Sequence, residues 1–405
     1  MMRALMVAPA RAAAYETVLR VFEQDAYADR ALRTAAESLD QRDRAFAQRL
    51  AYGTIQRMRT LDHAIEELGR RPVRKLDPPV RAALRLGAYE LAFMQTPRHA
   101  AVNEGVELVR AARLERAVPF TNAVLRRVAD GIGPLFEALP EGALKLSYPD
   151  WVEQVWTRDL GREAALSLMR AQNEAPETVV RLIRGKIEGE PTDLPGAYRV
   201  DRVDDEALAE GRIWPQSRGS QLAGLVVGAQ EGERTLDLCA APGGKATMLA
   251  GKVTAVEKHP GRARELEKNA ACLGATGVSV VCADALELPP ELREYDRALV
   301  DAPCSGLGVL ASRPDLRWRA EPLPELQLSL LRAAADRVRP GGTIVYSVCT
   351  LNVDENEAVV EASGLTPEPL GEEWPQFAHP KRPEFLLTRP DVHRTSGFFI
   401  ARLLV

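Results

Sequence analysis

The sequence predicts a multidomain chain: an all-α bundle at the amino end, a small α+β module, and an α/β domain built on a mostly parallel sheet. Three observations carry this. Over residues 10–128 the apolar positions recur every three or four residues, as in Val18, Leu19 and Phe22 and again in Leu61, Ile65 and Leu68, which is the amphipathic helix pattern. From residue 216 onward, short apolar strands alternate with helical stretches, as in a parallel sheet covered on both faces. The length of 405 residues also exceeds the roughly 250–300 at which single cores stop growing. The expected domains are 1–133, 134–215 and 216–405.

In the first domain, breaks at Asp40-Gln41-Arg42-Asp43, Gly69-Arg70-Arg71-Pro72, Asp77-Pro78-Pro79 and Thr96-Pro97-Arg98 divide the pattern into roughly five to seven helices. Gly131-Ile132-Gly133-Pro134 is expected to end the bundle. In the second, the β-branched Thr178-Val179-Val180-Arg181-Leu182-Ile183-Arg184 reads as a strand. Trp151 and Trp156 could stack on bases, but two aromatics at that helical spacing are expected in a core. In the third, strands are expected at 235–238, 253–256, 278–282, 297–300 and 343–346, with 397–404 as a late edge strand.

Composition narrows the function classes. Residues 1–130 hold 22 Lys and Arg against 16 Asp and Glu, a net of +6, so the remainder carries −10. Of those basic residues all but Lys75 are arginine, whose planar fork suits phosphate and stacks on bases. An RNA-facing amino-terminal third follows, against the alternative that arginines merely solubilise helical surfaces. The five cysteines are scattered without a CxxC pair, which argues against a disulfide framework or zinc site and for a reducing, cytoplasmic setting with no metal. No apolar run reaches the ~18 residues of a membrane span, and the start Met1-Met2-Arg3-Ala4-Leu5 lacks a secretory pattern. A monomer is expected.

The chemistry-bearing residues cluster where predicted strands end, the usual location of sites in nucleotide-handling α/β folds. One strand runs into Leu236-Asp237-Leu238-Cys239-Ala240-Ala241-Pro242-Gly243-Gly244-Lys245. That turn is not G-x-G-x-x-G, so a dinucleotide pyrophosphate site is unsupported, although its glycines could let the backbone approach a ligand at a helix start. Glu257 ends the next strand, where an acid can accept two ribose hydroxyls, and Asp284 the one after. Each could instead cap a helix. Two further strands close on Asp301-Ala302-Pro303-Cys304-Ser305-Gly306 and Ser347-Val348-Cys349-Thr350. Paired thiols there suggest covalent catalysis, which a nicotinamide enzyme with the same strand pattern would not need.

Taken together, the Cys-Ala-Ala-Pro-Gly-Gly-Lys turn, the Asp-Ala-Pro-Cys-Ser-Gly segment and a second cysteine followed by Val353-Asp354-Glu355-Asn356-Glu357 resemble the RNA cytosine-C5 methyltransferases of the RsmB (Sun/Fmu) and NOL1/NOP2/Sun family. The stretch from Lys75 to Leu91, Val102-Asn103-Glu104-Gly105-Val106 and Phe120-Thr121-Asn122-Ala123-Val124-Leu125-Arg126 resemble the NusB-type fold that the family carries ahead of its catalytic domain. Ser147-Tyr148-Pro149-Asp150-Trp151-Val152 and Asn173-Glu174-Ala175-Pro176 resemble the family's small α+β module.

The resemblance implies a Rossmann-like methyltransferase domain with S-adenosylmethionine as cofactor. Its site would comprise Cys239, Ala240, Ala241, Pro242, Gly243, Gly244, Lys245, Glu257, Asp284 and Asp301. It also implies a NusB-like domain that grips RNA, with Asn103 and Asn122 as candidate contacts if they are not caps or core. The implied substrate is 16S ribosomal RNA, in the manner of the enzymes that modify cytosine 967. Because the base must leave its stack to meet a thiol, an accessible loop or unfolded rRNA region is expected.

Cytosine C5 is too weak a nucleophile to take a methyl group unaided, so a thiolate must first add at C6. By the family pattern Cys349 is that nucleophile and Cys304 assists product release, whereas DNA cytosine methyltransferases attack from a Pro-Cys motif, which here would select Cys304. Asp301 could hold a proton on N3 as a neutral acid in a dry site. Two departures stand out: Val348 occupies the position where the family usually has Thr, and Ser396 replaces the usual Asp before Gly397-Phe398-Phe399. Any hydroxyl support for the thiol would then come from Ser347 or Thr350. A tRNA or DNA methyltransferase, or a non-catalytic RNA-binding assembly factor, remain the rival readings.

Overall fold

The computed structural model describes residues 7–94 and 96–405, so the start at residues 1–5 read above lies outside the described residues. The chain forms two units, one running up to Asn173 and taking in Leu310–Arg319, the other comprising Glu174–Val309 and Ala320–Val405.

The first unit is helical: α1 (Pro9–Glu23), α2 (Ala28–Ala35), α3 (Gln41–Gln56), α4 (Met58–Gly69), α5 (Pro78–Phe93), α6 (Arg98–Ala111), α7 (Val118–Ala138), α8 (Ala143–Leu146), α9 (Asp150–Leu160) and α10 (Arg162–Ala171). The local signals act as expected. Asp40 caps α3 by accepting from the Asp43 amide at 2.8 Å, and α5 starts with prolines in its first turn, where the missing amide is harmless. The core runs through Leu50, Ile55, Leu61, Ile65, Val124, Leu125 and Val128. Gly87 and Gly105 let α5 and α6 approach Leu125 of α7, since a Cβ at either would come within 2.8 Å or 2.6 Å of its methyls.

One boundary differs from expectation. Helix α7 runs through Gly131-Ile132-Gly133-Pro134 with the proline inside it. A proline there removes one i→i−4 hydrogen bond, but Pro134 and Asp130 are exposed, so water can take the freed carbonyl. Trp156 is fully buried against Tyr148 at 5.6 Å, which makes it core. Not every arginine faces outward: Arg85 is buried against Asp62 and Arg11 pairs with the buried Glu90. The unit is completed by Leu310–Arg319, whose Arg317 is fully buried and donates to the Gln56, Ser147 and Asn173 oxygens at 2.8–3.0 Å while stacking on Tyr148.

The second unit contains two sheets. Strands β1 (Val179–Leu182), β2 (Glu190–Pro191), β3 (Ala197–Arg199) and, after α11 (Asp205–Ala209), β4 (Ile213–Pro215) form an antiparallel sheet in the order β2-β3-β1-β4. The stretch 134–215 therefore contributes α8, α9 and α10 to the first unit and β1–β4 to the second.

The larger sheet follows α12 (Arg218–Val227), which is capped by Ser217. It comprises β5 (Arg234–Asp237), β6 (Lys252–Val256), β7 (Val278–Val281), β8 (Tyr295–Asp301), β9 (Val338–Val348), β10 (Thr366–Pro367), β11 (Leu386–Thr388) and β12 (Phe398–Leu404). Helix α13 (Pro260–Leu273) joins β6 to β7; α14 (Leu316–Arg319) and α15 (Pro324–Ala335) lie between β8 and β9; α16 (Glu357–Ser363) and α17 (Pro390–His393) follow β9 and β11.

The sheet order is β10-β12-β9-β8-β5-β6-β7, with β11 also on β12. Its five parallel strands are those expected, and the order reverses between β5 and β8, the kind of switch point where such sheets bind ligands. Two expectations are corrected. Strand β12 is antiparallel to β9 but is no edge, because β10 and β11 pair along its other side. The turn after β5 leads only into the short 3₁₀ helix Ala246–Met248 before β6, so the expected helix start at the glycines is absent. Among the described residues no helix is long and apolar enough to cross a membrane, no group of His, Cys, Asp or Glu could hold a metal, and all five cysteines are free.

Candidate active site

Parallel pairing lines up the carboxyl ends of β5 to β9, so residues far apart in sequence meet at one edge of the sheet. Asp237 pairs in register with Leu299 of β8 and Ala255 of β6, Val256 with Val281, and Asp301 with Ser347. The turn after β5 is held by the Ala240 amide on the Val256 carbonyl at 3.0 Å. Gly243 has φ 103°, and a Cβ there would fall 2.5 Å from Leu266, so this position requires glycine.

Asp237, not selected from the sequence, is buried at the start of this turn. One of its oxygens accepts from the Cys239 amide at 3.4 Å and the other has no partner among the described residues. Burial, reinforced by the charge of Asp301, pushes its pKa up to about 7. Burial also raises the Cys239 thiol well above its ordinary value, which makes it unreactive.

Glu257 follows β6 and is buried; it accepts from the His259 amide at 2.8 Å and faces Arg262 at 3.4 Å. It thus ties down the start of α13 while keeping acceptor capacity for hydroxyls. Arg262 in turn donates to the Ala241 carbonyl at 2.7 Å, linking the acid to the turn. Asp284, after β7, pairs with Lys258 at 2.7 Å and accepts from the Leu286 amide at 3.0 Å. That lysine, then the amide, lowers its pKa, so it stands as a carboxylate. An orphaned buried carboxyl oxygen, a small-residue turn and two acids ending adjacent strands fit a cationic adenosine-bearing cofactor.

Lys245 brings the turn to β8, its ammonium 2.7 Å from one oxygen of Asp301, while Ser347 donates to the other at 2.7 Å. Lys245 also lies over the Phe398 ring at 5.0 Å. Asp301 is therefore ion-paired, with both oxygens engaged and a 29% exposed side chain, in place of the neutral acid in a dry site that holding a proton on N3 would need.

The two thiols sit together, Cys304 Sγ and Cys349 Sγ being 3.4 Å apart. The hydrogen bond with Cys349, and then burial, hold the Cys304 thiol well above its ordinary pKa. Backbone bonds tie the Cys304 loop to its neighbours: the Gly308 amide donates to Cys349 O at 2.9 Å, and the Gly397 amide, from the loop before β12, donates to Gly308 O at 2.8 Å. A Cβ on Gly308 would lie 2.1 Å from the Gly397 carbonyl. Of the two hydroxyls proposed to support the thiol, Ser347 serves Asp301 and Thr350 bonds Ser305 at 2.8 Å. The Ser396 carbonyl accepts from Thr388 at 2.7 Å, which anchors the loop that departs from the family pattern.

In the first unit, Asn103 and Asn122 line one cavity of about 580 Å³ with Arg98, His99, Arg110 and Arg126. Both lie inside helices, α6 and α7, so neither is a cap.

Comparison with known proteins agrees with this geometry. A model of the "16S rRNA methyltransferase RsmB/F" family matches residues 225–404 and a NusB family model matches residues 8–130. A "probable ribosomal RNA small subunit methyltransferase B" of Synechocystis is 34% identical over 97% of this chain and 99% of its own. The chain belongs to the RsmB/F family. The ribosomal RNA small subunit methyltransferase B of Thermus thermophilus is 35% identical, covering 86% of each chain. The solved structure of PH0851 shares the fold across 99% of both chains, with a TM-score of 0.82 at 24% identity. As a member of the RsmB/F family, the chain is an RNA methyltransferase with a NusB-type amino-terminal domain and S-adenosylmethionine as cofactor.

Proposed function

We propose that this RsmB/F member methylates C5 of a cytosine in 16S rRNA through a covalent bond from Cys349 to C6, acting in the cytoplasm on the position equivalent to cytosine 967. The observation that carries the reading is the 3.4 Å thiol pair beside the Lys245–Asp301 ion pair. Asp237, Glu257, Asp284 and the turn Cys239, Ala240, Ala241, Pro242, Gly243, Gly244 would hold S-adenosylmethionine, which supplies an electrophilic methyl group when bound.

The family pattern favours Cys349 as nucleophile. On that assignment Cys304, whose thiol the contact with Cys349 and burial hold above its ordinary pKa, keeps its proton and donates it across the 3.4 Å contact to Cys349. In this reading the Cys349 thiolate adds to C6 and pushes electron density onto C5. Lys245 faces the negative charge that builds on the ring, its ammonium held in place by Asp301. After methylation the C5 proton leaves to a base, its bonding pair restores the C5–C6 double bond, and the C6–S pair returns to Cys349. The Cys304 thiol at 3.4 Å then stabilises the departing thiolate by donating to it.

The bundle's arginines supply placement on RNA through phosphate contacts. The deciding experiment maps 5-methylcytosine across 16S rRNA and tRNA from a deletion strain with and without the gene restored. The reading predicts loss and recovery of one 16S cytosine. Loss confined to tRNA, or no change in either RNA, contradicts it.

A further inference from the structure

Glu355 is fully buried in the loop ahead of α16, and its two carboxylate oxygens collect six donors from three segments. One oxygen accepts from the Ser305 amide at 2.9 Å, the Leu323 amide at 3.1 Å and Gln327 Nε2 at 2.9 Å. The other accepts from the Ser305 hydroxyl, from Thr350 Oγ1 at 3.3 Å and from Asn352 Nδ2 at 3.5 Å. Ser305 directly follows Cys304 and Thr350 directly follows Cys349. With the Ser305 proton on Glu355, Thr350 shares its single proton between the carboxylate and Ser305 Oγ at 2.8 Å, and Gln327 reaches back to the Pro303 carbonyl at 2.9 Å. Tyr346 of β9 closes the arrangement by donating to Glu355 O at 2.7 Å.

We propose that Glu355 is a positioning residue that fixes the spacing of the two thiols, by clamping the residue after each of them to one carboxylate. The inference rests on the covalent reading above. Only an ionised acid accepts on both oxygens without adding a donor of its own. A glutamine of the same shape would turn an amide toward Ser305, Thr350 and Asn352; the hydroxyls can reverse to accept from it, but the Asn352 amide cannot. The direct Ser305–Thr350 hydroxyl contact and the Gly308 amide on the Cys349 carbonyl remain when the acid is lost, but the carboxylate that anchors both neighbours and the Leu323–Gln327 segment to one point is gone, and the thiol spacing loosens. A displacement of about 1 Å can reduce a rate about 100-fold.

The test uses the full chain and two readouts that a merely stabilising residue would not move. The first is kcat against KM with a 16S rRNA fragment. The second is the rate at which diamide, a mild two-electron oxidant, joins Cys304 and Cys349 in a disulfide, the two thiol protons and two electrons passing to diamide, which becomes the hydrazine. For Glu355→Gln we expect kcat to fall about tenfold or more, by analogy with a lost hydrogen bond to a charged group. KM and S-adenosylmethionine affinity should hold, and disulfide formation should slow in parallel with kcat. Thr350→Val, which removes only the hydroxyl on the Cys349 side, should show a smaller effect in the same direction and replaces Glu355→Gln if that variant does not fold. Unchanged kcat and unchanged disulfide rate in a folded variant overturn the proposal. A fragment carrying 5-fluorocytosine separates the two levels, since after methyl transfer C5 has fluorine in place of the proton that must leave, and the adduct is trapped. No adduct with the wild-type protein overturns both the covalent reading and the clamp; a wild-type adduct with unaffected variants overturns the clamp alone.

Discussion

Asp237→Asn isolates the charge of one buried acid at the carboxyl end of β5. In the folded chain burial, with the Asp301 charge adding to it, lifts the Asp237 carboxyl from 3.8 to about 7. At about 1.4 kcal/mol per pH unit, ionising it in place is disfavoured by about 4 kcal/mol relative to the unfolded chain. The folded state therefore holds a proton that the unfolded state has lost between pH about 4 and about 7. Stability contributed by the protonated acid is complete below that window and is lost as pH rises through it. Asparagine mimics the neutral acid and cannot ionise. The urea unfolding free energy of wild type minus that of Asp237→Asn should then drop by about 4 kcal/mol at most between pH 4 and 8. A difference that stays level with pH would show that Asp237 is not the raised carboxyl described here.

Four other residues give shorter tests. Glu257→Ala should raise the S-adenosylmethionine dissociation constant about tenfold or more, because a hydrogen bond to a charged group is worth roughly 1.5–3 kcal/mol; calorimetry at wild-type affinity would remove Glu257 from the site. Arg317→Leu leaves buried carbonyls of the first unit without their donor and should lower its unfolding free energy by about 3 kcal/mol, read by chemical denaturation; a change below about 0.5 kcal/mol would mean the guanidinium contributes no net stability. Because that unit extends to Asn173 and includes Leu310–Arg319, deleting residues 1–133 would expose its remaining core, and the RNA role of the bundle is better tested by Arg98→Ala with Arg126→Ala. That double variant should weaken RNA binding and flatten its salt dependence by about two phosphate contacts, with an unchanged slope counting against the cavity as an RNA contact.

Much of the second unit was legible because parallel strands write themselves as short apolar runs ending in distinctive residues. The turn from Cys239 to Lys245, the acids Glu257, Asp284 and Asp301, and both cysteines all sit at strand ends, and the sheet brings them to one edge. Partners were harder to read than positions. Nothing local in Lys245 announces that it neutralises Asp301 from a loop 56 residues away, so the acid was read as neutral. Ser347 looked like support for the thiol two residues on, but the parallel register sets it opposite Asp301, and its hydroxyl serves that acid.

Glu355 lay in view within the acidic run after Cys349, yet a run of charge ordinarily reads as solvated surface. Its burial depends on donors contributed by three segments, none of which reveals itself alone. Asp237 did carry a local signal, an acid inside an apolar strand. Pro134 shows the opposite error, since a strong breaker was taken to end a helix that tolerates it where the freed carbonyl meets water. Arginine counting likewise could not show that Arg11 and Arg85 pair with Glu90 and Asp62, or that Arg98 and Arg110 of the cavity pair with Asp130 and Glu107.

The central claim is that Cys349 attacks the base and Cys304 completes release, and a denaturing gel of protein with methylatable 16S rRNA and S-adenosylmethionine tests it most directly. The account predicts that Cys304→Ala transfers methyl and then stalls as a protein–RNA adduct, whereas Cys349→Ala forms neither adduct nor 5-methylcytosine. An adduct trapped in Cys349→Ala and absent from Cys304→Ala would reverse the roles, and full activity in both variants would contradict the covalent mechanism.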